Sequence, residues 1–324
     1  MKKSLLALAL VAGFAQANET TLYGRVLGEG LVIKAPGGKT TGTIHSFARF
    51  GIKGNEDLNA GLKAIYQMEF NYRFHTYSPK TDTYGGVNGG TMNEIRQAYV
   101  GLKGDFGTLK LGKQSSVHGL FTGKADYSNT FGGWYNDGSN RLSHSISYAS
   151  PDMGGLTVAV AGVAEGRTEP ADRIVKDSDS RSFTAFEVGA QYAANGLEAA
   201  VVYTQTDKAS GTGKFYAGSL AYNADAYGVA FDYERNTDKD NYYSLAGEYK
   251  ISEQDRVYAG IEMKDPKDSA AKKQYFAHLG YQHNLSKRTR TWVEIGGQRD
   301  SLKVKDVAKS KNGYVATVGL RHDF

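Results

Sequence analysis

The chain has 324 residues, a formal net charge of +5 and 23% charged residues, and its mean hydropathy is −0.47. After the first 17 residues no apolar run approaches the roughly 18 residues that a membrane-spanning helix needs, which excludes a helical membrane protein. The chain contains no cysteine, which excludes a disulfide framework, and its small, scattered positive charge gives no basis for a nucleic-acid partner.

The first 17 residues have the layout of a secretory signal peptide. Lys2 and Lys3 precede the apolar residues 5–14, and residues 15–17 read Ala-Gln-Ala, which fits a small-x-small cleavage site. The alternative, an amphipathic helix of a soluble protein, does not explain the order of these three regions. We predict cleavage after Ala17, with a signal peptide over 1–17 and one β-barrel domain over 18–324.

From residue 20 onward the side chains alternate between apolar and polar with period two, as in residues 62–71 and 227–234. Each run has about the 9–11 residues with which a tilted strand crosses a bilayer. The pattern predicts 16 strands, at 20–33, 43–53, 60–73, 94–103, 106–114, 141–150, 155–164, 182–193, 197–206, 214–223, 226–235, 241–251, 255–264, 273–284, 289–299 and 313–324.

The connections between these strands alternate between short turns, such as residues 55–59 and 104–105, and long polar loops, such as residues 74–93 and 115–140. The last strand ends at an aromatic residue, Phe324, which indicates that it closes the sheet onto the first strand and assists barrel assembly. An even strand number, short turns at one rim and long loops at the other favour an all-β, 16-stranded antiparallel transmembrane β-barrel. A soluble β-sandwich would also alternate, but it does not account for the strand number or the signal peptide.

Several segments resemble general diffusion porins of Gram-negative bacteria. They are residues 21–25 (TLYGR), 47–54 (FARFGIKG), 96–104 (RQAYVGLKG), 106–113 (FGTLKLGK), 141–151 and the terminal GLRHDF. The resemblance implies a homotrimeric outer-membrane barrel whose third loop folds into the lumen and narrows it. It also implies a basic cluster on the wall of the constriction.

Side-chain parity independently places basic residues on the lumen face. If the apolar residues of the first two strands face lipid, then Arg25 and Arg49 face inward, since arginine on the lipid face at the midplane costs about 2–4 kcal/mol. The same reasoning with an outward Leu142 places Arg141 inward. Arg96 is also predicted inward, which leaves Gln97 outward, against a neighbouring subunit. The predicted basic wall consists of Arg25, Arg49, Arg96, Arg141, Lys63 and Lys110.

Each of these arginines could instead simply pair with an acid or stack on a tyrosine. Acidic residues also fall on the inner face by parity, and they are Glu69, Asp232, Glu234, Glu248 and Glu262. The sequence therefore predicts a lumen that carries charges of both signs and leaves the ion preference open.

Residues 115–140 form the candidate constriction loop, which carries Asp126 and Asp137 on either side of an aromatic and glycine-rich turn. Acids that face a basic wall across a narrow gap create a transverse field that favours polar solutes. The alternative is a surface loop whose aspartates are solvated, but unstructured loops of this length are usually functional.

The sequence predicts a passive, water-filled channel for ions and small hydrophilic solutes. A substrate-selective channel is the main alternative, for which Tyr23, Tyr258 and Trp292 are too few and too dispersed as inward aromatics. A barrel hydrolase is a further alternative, but His144 and Ser145 are adjacent and face opposite sides of a strand. The predicted partners are two further copies of the chain, outer-membrane lipid and lipopolysaccharide, and small solutes. No enzymatic activity, cofactor or metal site is predicted.

Overall fold

The computed structural model describes residues 19–34, 40–73, 91–131, 140–164, 183–206, 213–237, 240–267, 273–299 and 312–324. The predicted signal peptide and Asp137 lie outside these ranges. The strands are β1 (Glu19–Lys34), β2 (Thr40–Asn59), β3 (Leu62–Arg73), β4 (Thr91–Gly104), β5 (Gly107–Ser115), β6 (Arg141–Ala149), β7 (Leu156–Val163), β8 (Ala185–Ala194), β9 (Leu197–Thr206), β10 (Lys214–Asn223), β11 (Tyr227–Asn236), β12 (Asp240–Lys250), β13 (Asp255–Pro266), β14 (Gln274–Asn284), β15 (Thr289–Arg299) and β16 (Asn312–Asp323).

These strands form one closed antiparallel barrel. Each strand pairs with its neighbours in the sequence, and β16 returns to pair with β1. This closing pair runs from Arg25 opposite Asp323 to Lys34 opposite Tyr314. The predicted 16-stranded barrel is therefore confirmed.

One short helix, α1 (Val117–Phe121), follows β5 in the parts of the chain that the structure covers. The hydroxyl of Ser116 caps it by accepting a hydrogen bond of 2.7 Å from the Gly119 N–H. Within the same ranges, no helix combines the length and apolar character needed to cross a membrane.

The outer face of the barrel is apolar, as a lipid-facing surface requires. A row of outward residues runs around the wall in register, in which Leu245 lies opposite Ile261 and Ile261 opposite Ala277. Leu22 and Leu279 are 65% and 52% exposed on this face. Their neighbours along each strand point inward, so the lumen receives the polar half of the alternating pattern.

The first short turn differs from the prediction. Residues 55–59 were predicted as a turn, but β2 continues to Asn59 and the chain reverses at Ala60 and Gly61. Asn59, Ala60 and Gly61 all adopt positive φ, at 95°, 50° and 77°. Asparagine and glycine tolerate this region of backbone space, which explains the reversal there rather than at the acidic residues before it.

Candidate functional site

Three arginines lie together on the inner wall formed by β1, β2 and β4. Arg25 and Arg49 are directly opposite each other in the pairing of β1 with β2. The Nε of Arg96 donates a hydrogen bond of 2.7 Å to Glu69 Oε1, and the Nε of Arg49 lies 3.7 Å from the same oxygen. One carboxylate is thus shared by two arginines. The guanidinium of Arg25 stacks on Phe47, with its central carbon 5.4 Å from the ring centre.

Arg96 reaches the inner face because β4 contains a β-bulge. The pairing of β3 with β4 shifts register between Glu69 and Phe70, and Arg96 is the additional residue. The prediction that Gln97 faces outward is wrong. Its Nε2 donates a hydrogen bond of 3.0 Å to Ser115 Oγ. The side chain of Gln97 is therefore on the inner face, directly after the bulge. Contact with a second subunit is not needed to accommodate Gln97.

The residue used to orient Arg141 is placed differently from the prediction. Leu142 was expected to face lipid, but it is 8% exposed and packs in an apolar cluster with Val117 of α1, inside the barrel. The pairing of β5 with β6 shifts register just after Gly112, and His144 adopts a φ of 48°. The alternation is therefore interrupted, and Arg141 lies at the loop-side end of β6, where the inward loop rejoins the wall.

The two predicted lysines lie apart from each other. Lys110 is on the inner face, with its Nζ 4.6 Å from the centre of the Tyr99 ring. Lys63 lies at the short-turn rim, where its Nζ is 3.1 Å from Asp57 Oδ1 and about half of each side chain is exposed. Lys110 thus faces the lumen beside Tyr99, whereas Lys63 is paired at one mouth.

The described part of the third loop lies inside the barrel and is held by carboxylates of the wall. The Val117 N–H donates to Glu187 on β8 at 2.6 Å. The N–H groups of Lys124 and Ala125 donate to the two carboxylate oxygens of Asp232 on β11, at 3.1 and 2.7 Å. These wall carboxylates accept hydrogen bonds from backbone donors that would otherwise be unsatisfied.

The loop continues to β15 and β1. Glu294 accepts hydrogen bonds from the Asn129 N–H at 2.6 Å and from the Thr130 N–H at 3.1 Å. The Thr130 hydroxyl donates to Glu29 on β1 at 3.1 Å, and Trp292 Nε1 donates to that hydroxyl at 3.1 Å. The described residues of the loop therefore contact the wall at β8, β11, β15 and β1.

Two further contacts fix the ends of this loop segment. At its start, the His118 Nε2 lies 2.7 Å from Glu234 Oε1, and both side chains are buried. At its end, Phe131 packs edge-on against Phe276, with ring centres 5.8 Å apart, in a cluster with Tyr242. The inward acids Asp232 and Glu234 are thus engaged with the loop. Glu248 pairs with Arg256 on the wall at 2.5 Å.

Asp126 lies between these anchors, with its side chain exposed to the lumen. Enclosure by the surrounding wall, together with the nearby carboxylates of Glu294 and Asp232, raises the pKa of Asp126 to about 6, while Arg256 acts in the opposite direction. Asp126 is therefore partly neutral below neutral pH. The other acid predicted in this loop, Asp137, lies outside the described residues.

Several residues that line the lumen are not among the site residues predicted from the sequence. Arg321 and Asp323 on β16 face inward, and so does Arg290 on β15. Their parity was readable, since Leu320 is outward and 51% exposed. The loop acceptors Glu29, Glu187 and Glu294 were also missed, because their donors are distant in the chain. No group of three or more potential metal-ligating side chains occurs within the residues covered by the structure.

A closed barrel with an apolar outer face, a charged lumen and a loop seated inside it defines a channel protein of a bacterial outer membrane. The family model described as "Gram-negative porin" matches residues 4–301. The chain therefore belongs to the Gram-negative porin family, and it provides a water-filled path across the outer membrane for passive diffusion of ions and small hydrophilic solutes.

Relatives and solved structures agree with this assignment. An outer membrane porin protein of Bordetella pertussis is 24% identical over an alignment of 405 positions that covers all of both chains. The anion-selective porin from Comamonas acidovorans superposes with a TM-score of 0.68 at 20% identity, over 94% of this chain and 99% of that one. The trimer form of OmpT from Vibrio cholerae superposes with a TM-score of 0.66 at 17% identity, over 94% and 99%.

Proposed function

We propose that this porin is a homotrimer in which each subunit has a charged constriction and conducts anions in preference to cations. The observation that supports the proposal is a difference in pairing between the acidic and the basic side chains of the lumen. Carboxylates of β8, β11 and β15 accept hydrogen bonds from the loop, whereas Arg25, Arg49 and Arg96 line the inner wall of β1, β2 and β4 with one carboxylate, Glu69, between the last two. Because arginine stays ionised at physiological pH, this side is permanently positive.

The constriction lies between this arginine wall and the loop. Asp126 is the exposed acid of the described loop segment, and we propose that Asp137 adds to it. At a separation of about 8 Å and an effective dielectric constant near 20, one opposed pair of charges interacts by roughly 2 kcal/mol. Such a transverse field orients dipolar solutes and disfavours apolar ones, which interact less favourably with the ordered water.

The remaining basic residues extend the positive potential along the pore. Lys110 lies beside Tyr99 on the inner face, Arg141 lies where the loop rejoins the wall, and Lys63 lies at the short-turn mouth. We assign Lys63 the weakest effect on selectivity, because its ammonium is paired with Asp57 and exposed to screening salt.

The trimer is supported by the shared fold, since the OmpT structure from Vibrio cholerae is described as a trimer form. The apolar outer face supports contact with outer-membrane lipid and lipopolysaccharide around the rest of the perimeter. Phe324, at the closing seam, is proposed to assist insertion and assembly.

A substrate-selective channel and an enzyme are both less well supported. Tyr258 and Trp292 are buried, and their polar atoms bind Glu294 and Thr130, so they offer no stacking surface to a sugar. Ser145 donates to the Gly112 carbonyl at 2.8 Å, while the adjacent His144 is exposed. We therefore propose that solutes cross unchanged, without catalysis or a cofactor.

Planar-bilayer recording in a KCl gradient tests this function. The purified protein should open in groups of three steps, with a reversal potential of the sign for chloride preference. Arg49→Glu should shift that potential toward cation preference. Arg256→Glu, on the loop-covered wall, is the matched control and should shift it less. A protein without stepwise conductance, or with a cation-sided wild-type potential, would contradict the proposal.

A further inference from the structure

Beside the constriction, the closing seam of the barrel carries a second set of arginines. Arg321 on β16 is directly opposite Arg290 on β15, and Arg25 on β1 is directly opposite Asp323. The Nε and one terminal nitrogen of Arg321 donate to Asp323 Oδ1 at 2.8 and 2.7 Å. A terminal nitrogen of Arg290 lies 3.5 Å from the other oxygen, Asp323 Oδ2. One aspartate thus serves two arginines.

Arg25 connects this set to the constriction. It is opposite Arg49 in the barrel wall, and Arg49 and Arg321 are both close enough to act on it electrostatically. Its recorded contact is the stack on Phe47, and its Nε is buried without a hydrogen-bond partner among the described residues. Arg25 is therefore held in place by an aromatic ring, and its terminal nitrogens, which are not buried, are the donors that a ligand can reach.

In this region the arginines outnumber the carboxylates that could neutralise them. Five guanidiniums lie on adjoining strands, with two carboxylates between them, Asp323 and Glu69, so the net charge is +5 − 2 = +3. Like charges directly opposite each other destabilise a sheet, and here two such pairs occur, Arg25 with Arg49 and Arg290 with Arg321. The Nε of Arg290 is also buried and, within the described ranges, has no hydrogen-bond partner. An anion with several oxygen acceptors would offset the net charge and accept hydrogen bonds from the terminal nitrogens of these arginines.

We propose that Arg25, Arg290 and Arg321 form a binding subsite for small oxyanions that carry two or more negative charges, such as phosphate and pyrophosphate. Guanidinium groups bind phosphate and carboxylate oxygens through paired N–H donors, whereas chloride engages a single point of the fork. The side chains of Arg290 and Arg321 are 27% and 22% exposed on the inner face of the barrel, so a passing oxyanion reaches them from the lumen. This inference rests on the proposed anion-conducting function and adds to it a saturable step for one class of anion.

Single-channel recording in KCl with added sodium pyrophosphate tests the subsite. Pyrophosphate should reduce the chloride current of the wild-type trimer in a saturable way. Arg25→Gln should raise the half-blocking concentration at least about tenfold, the effect expected for the loss of a charge-assisted hydrogen bond. Arg25→Lys, which keeps the charge but loses the fork, should give an intermediate value. Arg321→Gln is a second variant of the subsite.

The matched control is Arg256→Gln, because Arg256 is also a lumen arginine but is bonded to Glu248 at 2.5 Å and to Gln282 at 2.8 Å. Its half-blocking concentration should stay within about twofold of wild type. Wild-type channels that conduct chloride but show no saturable block would overturn the subsite while leaving the proposed function intact. An equal loss of block in Arg256→Gln would also overturn it, because the effect would then follow from total lumen charge. Absence of chloride conductance would instead reject the proposed function.

Discussion

Phe324 and Gly24 join the last strand of the barrel to the first. The Gly24 N–H donates to the Phe324 carbonyl and the Phe324 N–H donates to the Gly24 carbonyl, both at 2.9 Å. The ring of Phe324 lies over Gly24, in the space that a β-carbon at this position would occupy. The C-terminal aromatic thus fits a site that exists because residue 24 has no side chain.

Gly24→Val should destabilise the closed barrel by about 1–3 kcal/mol, since the added side chain overlaps the Phe324 ring. Heat-modifiable mobility on gels and the yield of folded trimer measure this effect. Gly28→Val is the matched control, because Gly28 lies on the same face of β1 and a β-carbon there has nothing within 4 Å. Combining Gly24→Val with Phe324→Ala should recover part of the loss through the removed overlap. Equal destabilisation by both valine variants would contradict the role of this fit.

Removal of the main loop anchor should loosen the constriction. Glu294 accepts hydrogen bonds from Ser128, Asn129, Thr130 and Tyr258. Glu294→Ala leaves several donors without an acceptor, at about 1–3 kcal/mol for each buried group. We expect larger and noisier single-channel currents. Glu248→Ala, which removes a wall carboxylate that pairs with Arg256 instead of the loop, should leave the noise near the wild-type level. A quiet, unchanged current in Glu294→Ala would show that the loop is held by other contacts.

The charge of Asp126 should make selectivity depend on pH. Its pKa is raised to about 6, so the group is largely neutral at pH 5 and ionised at pH 7.5. Anion preference, measured as the reversal potential in a KCl gradient, should therefore be stronger at pH 5 and decrease through pH 6. For stability the sign is the same: the raised pKa favours the neutral folded state, and this contribution is lost as pH rises from the ordinary aspartate value to about 6.

Asp126→Asn should hold the pore at its low-pH selectivity across this range. The variant keeps the size of the side chain and removes its charge. A pH profile that is identical in the variant and the wild type would assign the titration to another group.

Processing of the exported chain should begin the mature protein at Asn18. Lys2, Lys3 and the apolar residues 5–14 form the predicted export signal, and Ala15 and Ala17 are the small residues of the predicted cleavage site. N-terminal sequencing or intact mass of protein purified from outer membranes measures this directly. Ala17→Leu should slow cleavage and accumulate the longer form. A mature terminus several residues away would contradict the assigned site.

The barrel could be predicted from the sequence because lipid enforces a local rule. A strand that faces lipid presents apolar side chains to the bilayer at every second position, and the sequence carries this pattern around the barrel, with interruptions in β4 and β6. Arg25 and Arg49 follow from the same rule, since their neighbours Leu22 and Phe50 are outward and exposed. The inward position of Arg321 follows from the same alternation.

Departures from strict alternation could not be predicted in this way. The bulge at Arg96 and the register shift after Gly112 depend on how one strand pairs with another, which parity along a single strand does not contain. The loop contacts are still less local, because the Asn129 N–H and Glu294 are 165 residues apart. An acid that anchors a loop and an acid that lines a pore have the same parity, so only the folded arrangement separates them.

The wall carboxylates that bind the loop come from distant parts of the chain, and this sets the order in which its contacts form during folding. Glu29 and Glu294 come from opposite ends of the chain and become neighbours only when the seam between β1 and β16 has formed. In a subunit that has not yet sealed, the loop can contact the acceptors on β8, β11 and β15, which belong to one continuous sheet, but it lacks the contact between Thr130 and Glu29. The last of these loop contacts therefore forms only when the final strand docks, so the constriction reaches its final shape together with the closure of the barrel.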